Sequence, residues 1–443
     1  MIEKLSLSNF KSFNTLDNLE IRNLTVIVGR NSCGKSSIMQ SLLLLKQTLE
    51  SESAKSLCME GKYLKFSNLK EISHGIPAVN QASIGYDIVL SNTNTKEPSR
   101  HISFEFKNKK EGDIYSPALS GFCITAEEEK IDLDKLTKGD IEKIFQTLIT
   151  HFSEEGSFES FEINYDKFLP DTIALYFKVE REGKKTNRTY NFPLFPIFDK
   201  HMEAVLKLQR TIKEIKYLSP LRAKPERAYV HYSQDVESIL EDGSNSAHIF
   251  WAKRNKKVKW KGDSIALENA VNECIKTVGL NQEITPAKIG DILYQVGIGI
   301  NQSKSSVSIA DVGFGYSQIL PIILLGLLSS KDNLMLIEQP EIHLHPSSAG
   351  NLADLFLAFA QDDKNFIIET HSQEFINKLR LRVIQNPELK KKINIVFVEQ
   401  SESGSQIKQF EIDEEGMFPE WPQGFLDESE SLARQILEAR LGL

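Results

Sequence analysis

The segment Gly29-Arg30-Asn31-Ser32-Cys33-Gly34-Lys35-Ser36 constrains this chain more than any other. Its spacing is G-x-x-x-x-G-K-S. Before it runs Leu24-Thr25-Val26-Ile27-Val28, a short apolar stretch bounded by turn residues, which reads as a buried strand. After it Ile38, Leu42, Leu45 and Leu49 recur at spacings of three and four, which puts them on one face of a helix over Lys35–Glu50. Strand, glycine loop and helix form the context in which this spacing is specific. Gly29 and Gly34 let the backbone turn so that successive N–H groups point inward at phosphate oxygens. The helix start adds its positive dipole end. Lys35 is expected to reach the β- and γ-phosphates of ATP, and the Ser36 hydroxyl to ligate Mg2+, while Arg30, Asn31, Ser32, Cys33 and Ser37 complete the cradle. A chance match on a glycine loop is the bland alternative, and both flanking elements speak against it.

Such a loop needs a second half. A carboxylate for magnesium usually stands at the end of an apolar strand. Leu334-Met335-Leu336-Ile337-Glu338 supplies one, so Glu338 is the candidate magnesium-side acid, directly or through water. The next residues, Gln339-Pro340-Glu341-Ile342-His343-Leu344-His345-Pro346, form a polar cluster beside that strand. In an extended segment Glu341, His343 and His345 fall on one side, a geometrically possible metal triad. Histidines that hold a loop by hydrogen bonds are the commoner case. A further apolar strand, Asn365 to Ile368, leads into Glu369-Thr370-His371-Ser372. In an α/β register its end would lie beside Glu338, which makes His371 a site candidate. Finally, Asp311-Val312-Gly313-Phe314-Gly315-Tyr316-Ser317-Gln318 precedes an apolar helix. Gly313, Gly315 and Ser317 at a helix start suit an anion, and equally a turn with a helix cap.

The rest of the chain supports a soluble α/β protein. Of its 443 residues, 40% are hydrophobic and 26% charged, the balance of an ordinary globular protein. The net charge of −8 provides no global footprint for nucleic acid. Cys33, Cys58, Cys123 and Cys274 lack zinc or redox spacing, so reduced thiols and a cytoplasmic location are expected. The apolar run Ile319 to Leu328 contains Pro321 and Gly326 and is too short to span a bilayer, so no membrane association is expected. Residues 81–107 read as a strand pair, 126–155 as helical, 158–195 as strands and 198–216 as helical. From Ile215 onward strands and helices alternate, which indicates a mainly parallel sheet covered by helices. The expected organisation is 1–50, 51–214 (a mixed β/α lobe and insertion), 215–400 and a small unit at 401–443. Trp251 to Lys261 carries six basic residues, five of them between two tryptophans. That composition suits a nucleic-acid backbone and stacked bases, or simply a solvated surface loop. Arg222 and Arg227 sit in a proline-stiffened loop, Pro220 to Arg227, and are read as touching nucleotide, touching a partner or forming ion pairs.

Together these pieces resemble the ABC-type ATPase heads of the class that includes the SMC and RecF proteins, and among them the compact bacterial ATPases related to the OLD (overcoming lysogenization defect) proteins. Asn9-Phe10-Lys11-Ser12-Phe13 is similar to the opening strand motif of that class. Gly29 to Ser36 matches Walker A, Asp311 to Gln318 sits at the signature position, Leu334 to Glu338 matches Walker B, and His371 matches the switch histidine. Tyr217-Leu218-Ser219-Pro220-Leu221-Arg222 and Glu420 to Glu428 resemble a subgroup with a small C-terminal domain of unknown function.

The resemblance implies an ABC-ATPase head with a mixed N-terminal β lobe. It also implies a homodimer or higher oligomer in which Gly313, Gly315 and Ser317 act across the interface on ATP held by the other P-loop. It implies a separate effector protein, a nuclease, and a role in anti-phage (antiviral) defence. Three departures qualify it. Gln339 stands where the family often has a catalytic Glu, and an amide cannot accept a proton from water, so Glu341 is the other candidate base. The signature lacks the usual Leu-Ser-Gly-Gly-Gln order. No heptad stretch separates the halves, so no long coiled-coil arm is expected, and no nuclease domain is expected after the ATPase part. The rivals to an ATP-hydrolysing switch are a nucleotide-gated scaffold with negligible turnover and a DNA-repair ATPase.

Overall fold

The computed structural model describes residues 1–91, 100–126, 129–153, 157–181, 184–195, 197–230, 238–289, 293–299, 306–312, 315–418 and 435–440. They divide into two compact units. One comprises residues 1–19, 40–213 and 402–404, the other 20–39, 214–401 and 405–443.

The second unit carries a six-stranded sheet in the order Lys216–Leu218, Leu334–Glu338, Asn365–Glu369, Leu24–Gly29, Ile393–Ser401, Gly404–Phe410. The first five are parallel. Their apolar runs are buried almost without interruption, as expected for strands covered on both faces. Register settles what meets at the edge. Glu338 pairs with Glu369, Glu369 with Ile27, and Val398 with Gly29. The C-terminal ends of three adjacent strands therefore deliver Glu338, Glu369 and Gly29 to one rim, the usual ligand position of an open α/β sheet.

The helices that cover the sheet begin where local chemistry dictates. Pro346–Gln361 starts with a proline at its first position, and the His345 side chain accepts from Ser347 N. Gln373–Gln385 is capped by the Ser372 hydroxyl, which accepts from Phe375 N. Gly315–Leu328 is almost wholly buried despite Pro321. Gly326 on it lies so close to Phe359 that a Cβ would come within 2.5 Å of the ring. That ring, with Phe356, Phe366 and Phe375, forms the aromatic centre of the core, at centroid distances of 5.1 Å for Phe356–Phe366 and 5.7 Å for Phe359–Phe366. Burying each such side chain contributes roughly 1.5–3 kcal/mol.

The first unit is built on a six-stranded sheet in the order Phe13–Glu20, Ile2–Phe10, Ser83–Leu90, Arg100–Glu111, Ile114–Ala126, Glu129–Asp132. Its paired strands from Ile2–Phe10 onward run antiparallel. Alternation along these strands stacks Tyr86, Phe104 and Phe122 on one face at 5.2 and 5.7 Å. A three-stranded sheet (Ser157–Asp166, Leu169–Arg181, Lys184–Pro193) and the helix Asp199–Lys213 belong to the same unit.

Two expectations are corrected. Residues 126–155 are not helical throughout: Glu129–Asp132 is a strand, with Ile131 opposite Ile124, a single 3-10 turn follows at Leu133–Lys135, and α-helix begins only at Lys138 after a Thr137/Asp140 capping box. The Trp251–Lys261 stretch is not a surface loop. It closes the helix Ser246–Lys253 and continues as the strand Lys257–Trp260, paired with Asp263–Ala266. Trp260 is 3% exposed and packs edge-on against Phe359 at 5.3 Å. Among the described residues no helix is long and apolar enough to cross a membrane. The stretch Glu420 to Glu428 lies outside the described residues.

Candidate nucleotide site

At Gly29 the backbone has φ +146°, and a Cβ would sit 2.3 Å from the Val398 carbonyl oxygen of the adjacent strand. Only glycine passes that crossing. Ser32 (φ 62°) and Gly34 (φ +102°) make the further left-handed turns that curl the loop. The Ser405 hydroxyl donates to the Cys33 carbonyl at 2.6 Å and pins the outside of the loop. Lys35 is 4% exposed, and its Nζ donates to the carbonyls of Gly29 (3.1 Å) and Arg30 (2.6 Å), so the ammonium is held over the loop.

The Ser36 hydroxyl donates to Glu369 Oε2 at 2.7 Å, and the Tyr217 hydroxyl donates to Glu338 Oε1 at 2.9 Å. Two carboxylates thus share the rim, each tethered by one hydroxyl. Burial, and then the neighbouring Glu369 charge, push the Glu338 carboxyl up to about 7. Burial also raises Glu369, against the Ser36 hydrogen bond and the Lys35 charge. Burial, followed by the Glu338 charge, raises the Tyr217 phenol, so it stays a donor.

After Glu338 the chain leaves the sheet in an unusual way. Gln339 takes a left-handed conformation (φ 44°), and its N–H donates to the Glu369 carbonyl at 2.7 Å. The turn continues with Ile342 N–H to Gln339 O (3.3 Å) and Leu344 N–H to Glu341 O (3.0 Å). Glu341 is thereby brought to the neighbouring strand end. Its Oε1 accepts from the Thr370 hydroxyl at 2.8 Å and from the His371 N–H at 2.7 Å. Its Oε2 is buried with no hydrogen-bond partner among the described residues. Burial raises this carboxyl, against the two donors and the Arg222 charge. Burial and then the Lys35 charge lower the His371 imidazole, which favours its neutral form.

Arg222 approaches the same peptide. Nη1 donates to the carbonyls of Pro220 (3.0 Å) and Gln339 (3.3 Å), Nη2 to that of Glu338 (3.1 Å), while Nε is buried without a partner among the described residues. Burial pushes the guanidinium down to about 10, so it is still charged at neutral pH. Arg227 instead pairs with Asp311 at 2.8 Å on the surface.

The structure thus gathers the Gly29–Ser36 loop, Glu338, Gln339, Glu341 and His371 at one sheet rim. Gly315 and Ser317 stand at the start of the helix Gly315–Leu328, and Gly313 lies outside the described residues. Among the described residues no three His, Cys, Asp or Glu side chains cluster as a metal site, so the Glu341/His343/His345 triad is not formed. His345 instead caps a helix, with Nδ1 2.8 Å from the Ser347 hydroxyl. Three site residues lie beyond the candidates read from the sequence, Glu369, Thr370 and Tyr217, while Arg222, read there as touching nucleotide or a partner or forming ion pairs, instead donates to backbone carbonyls. The register argument that places His371 beside Glu338 also reaches Glu369, which ends an apolar strand of the same length. Tyr217 has no such signal, because Lys216–Leu218 is only a three-residue strand.

Comparison with known proteins places the chain in a family. The model of the family described as "AAA ATPase domain" matches residues 1–376, and that of a protein family of unknown function (DUF3696) matches residues 390–436. No curated protein matches the chain. Among solved structures, an SMC head bound to the C-winged helix domain of ScpA is similar at 13% identity and a TM-score of 0.47. That alignment covers 93% of this chain and 98% of the other. The SMC head domain from Thermotoga maritima is similar at 12% identity and a TM-score of 0.40, covering 93% and 99%. An Smc head with an extended coiled coil, bound to the C-terminal domain of ScpA derived from Pyrococcus furiosus, is similar at 12% identity and a TM-score of 0.44, covering 98% and 99%. With 376 contiguous residues matched, and with a P-loop and an acidic strand end on one sheet rim, the chain belongs to the AAA ATPase domain family.

Proposed function

We propose that the protein is an ATP-hydrolysing switch in which Glu341 is the general base. The observation that carries this is the Glu341 carboxylate. One oxygen is held by the Thr370 hydroxyl and the His371 N–H, while the other is buried and has no partner among the described residues at the rim that bears the P-loop. A carboxylate so fixed takes a proton from water as the water oxygen attacks the terminal phosphorus and ADP departs. Gln339 orients that water through its amide. Lys35 stabilises charge on the transferring phosphoryl group, and neutral His371 donates or accepts one hydrogen bond beside it.

The oxygen donors Ser36, Glu338 and Glu369 fit a hard divalent cation such as Mg2+. Two buried carboxyls pushed up partly by a neighbouring negative charge are what a bound cation would relieve. A bound Mg2+ would be held by these residues and would supply neutralisation of phosphate charge.

The switch is read as a homodimer or higher oligomer, with Gly313, Gly315 and Ser317 of one copy completing the site of the other. It is read as controlling a separate effector, a nuclease, in cytoplasmic anti-phage defence. The support for these finer statements is the resemblance to compact OLD-like ATPases. The scaffold reading keeps one specific observation, the amide of Gln339 where the family often has a carboxylate. The DNA-binding reading is weakened, because Trp260 is committed to the core and the Arg254 guanidinium already occupies one face of the Trp251 ring at 3.6 Å. Measuring ATP binding by wild type and Lys35→Ala tests the foundation: loss of binding in the variant is expected, and equal binding would sink the site assignment.

A further inference from the structure

Arg222 has a place in this site that its loop position does not announce. A partly buried guanidinium normally meets a carboxylate. Here all three of its hydrogen bonds go to backbone carbonyls, those of Pro220, Glu338 and Gln339. The last two flank the peptide that leaves the acidic strand. That peptide also donates its Gln339 N–H to the Glu369 carbonyl at 2.7 Å. It is therefore gripped from both sides, by Arg222 on the Glu338 carbonyl and by Glu369 on the Gln339 N–H, and Arg222 also holds the next carbonyl along, that of Gln339.

The grip matters because Gln339 is left-handed (φ 44°). An L-residue in that conformation relaxes unless its surroundings hold it. The turn from Gln339 to Ile342 starts from this residue, and the turn carries Glu341 to Thr370 and His371. Arg222 itself reaches no nucleotide-cradling atom among these bonds. A forked, planar donor suits two carbonyls from successive residues in a way that a lysine ammonium does not.

We propose that Arg222 is a positioning residue for hydrolysis, clamping the Glu338–Gln339 peptide so that the following turn delivers the Glu341 carboxylate to its working place. This rests on the reading of Glu341 as the base. The clamp acts on kcat and leaves ATP affinity alone, since the P-loop is anchored separately through Val398 and Ser405.

The test compares wild type, Arg222→Lys, Arg222→Gln and Arg222→Ala for ATP affinity, steady-state phosphate release and amide exchange of the 339–344 segment. The expected result is ATP affinity within about twofold of wild type, with kcat lower by roughly tenfold to a hundredfold. Lysine should fail to restore kcat, and millimolar guanidinium ion should partly restore it in Arg222→Ala. Amides 339–344 should exchange faster in all three variants. Unchanged kcat, or a loss confined to ATP affinity, would overturn the proposal. If wild type itself releases no phosphate, the hydrolysis reading has failed and exchange alone decides. Unchanged protection at 339–344 then refutes the clamp, and faster exchange upholds it. A variant that does not fold is replaced by the mildest of the three that melts as wild type does.

Discussion

Replacing Glu338 with glutamine should make the nucleotide-free protein more stable at alkaline pH. The carboxyl is raised from 4.5 to about 7, first by burial and then by Glu369. The sign follows from linkage. Between those two values the folded state holds the proton more firmly than the unfolded state, so the contribution of this group to stability falls as pH rises through the window and is flat above it. The difference of about 2.5 units corresponds to about 3 kcal/mol. Residual solvent access reduces that to roughly 1–2 kcal/mol. Glutamine keeps an oxygen for the Tyr217 hydroxyl at the same place and never ionises. Thermal melts of wild type and Glu338→Gln without nucleotide, at pH 5 and pH 8, read this directly. The variant should gain a few degrees at pH 8 and nearly nothing at pH 5. With ATP and Mg2+ at pH 8 the advantage should shrink or reverse, because the variant has lost a cation ligand. A variant less stable than wild type at pH 8, or one shifted equally at both pH values, would refute the reasoning.

Gly29→Ala places a Cβ 2.3 Å from the Val398 carbonyl at φ +146°, so urea unfolding should show a loss of at least roughly 1–3 kcal/mol from backbone strain, together with loss of ATP binding. In the first unit, the His101 ring is hydrogen-bonded to Asp87, which raises the imidazole above 6.5. Its stabilising effect is full below 6.5 and is lost as pH climbs through the folded value. Asp87→Asn should return the His101 titration, followed by NMR, to the ordinary range and remove that pH dependence.

Much of the sheet rim was legible because its signals are local. The P-loop spacing, the helix Lys35–Glu50 and the apolar runs ending in Glu338 and Glu369 can all be read within about twenty residues. Parallel register then brings the strand ends together by a rule that needs no contact information. What escaped is non-local. The Ser36–Glu369 bond joins residues 333 positions apart, and the Tyr217–Glu338 bond joins residues 121 apart. The Glu129–Asp132 strand is dense in charge and takes its conformation from pairing with Ile114–Ala126, so helical propensity was overridden by an edge partner. Trp260 looked like an exposed stacking platform because its neighbours are lysines, yet period-two alternation in Lys257–Trp260 turns it inward with Val258.

The central claim is that Glu341, held by Thr370 and His371, performs the proton transfer while Gln339 only orients water. Single-turnover phosphate release by wild type, Glu341→Gln and Gln339→Glu, with ATP binding measured in parallel, tests it most directly. The account predicts wild-type turnover, loss of at least roughly a hundredfold in Glu341→Gln with ATP binding retained, and undiminished turnover in Gln339→Glu. Full turnover in Glu341→Gln, or a wild type that binds ATP and releases no phosphate, would contradict it.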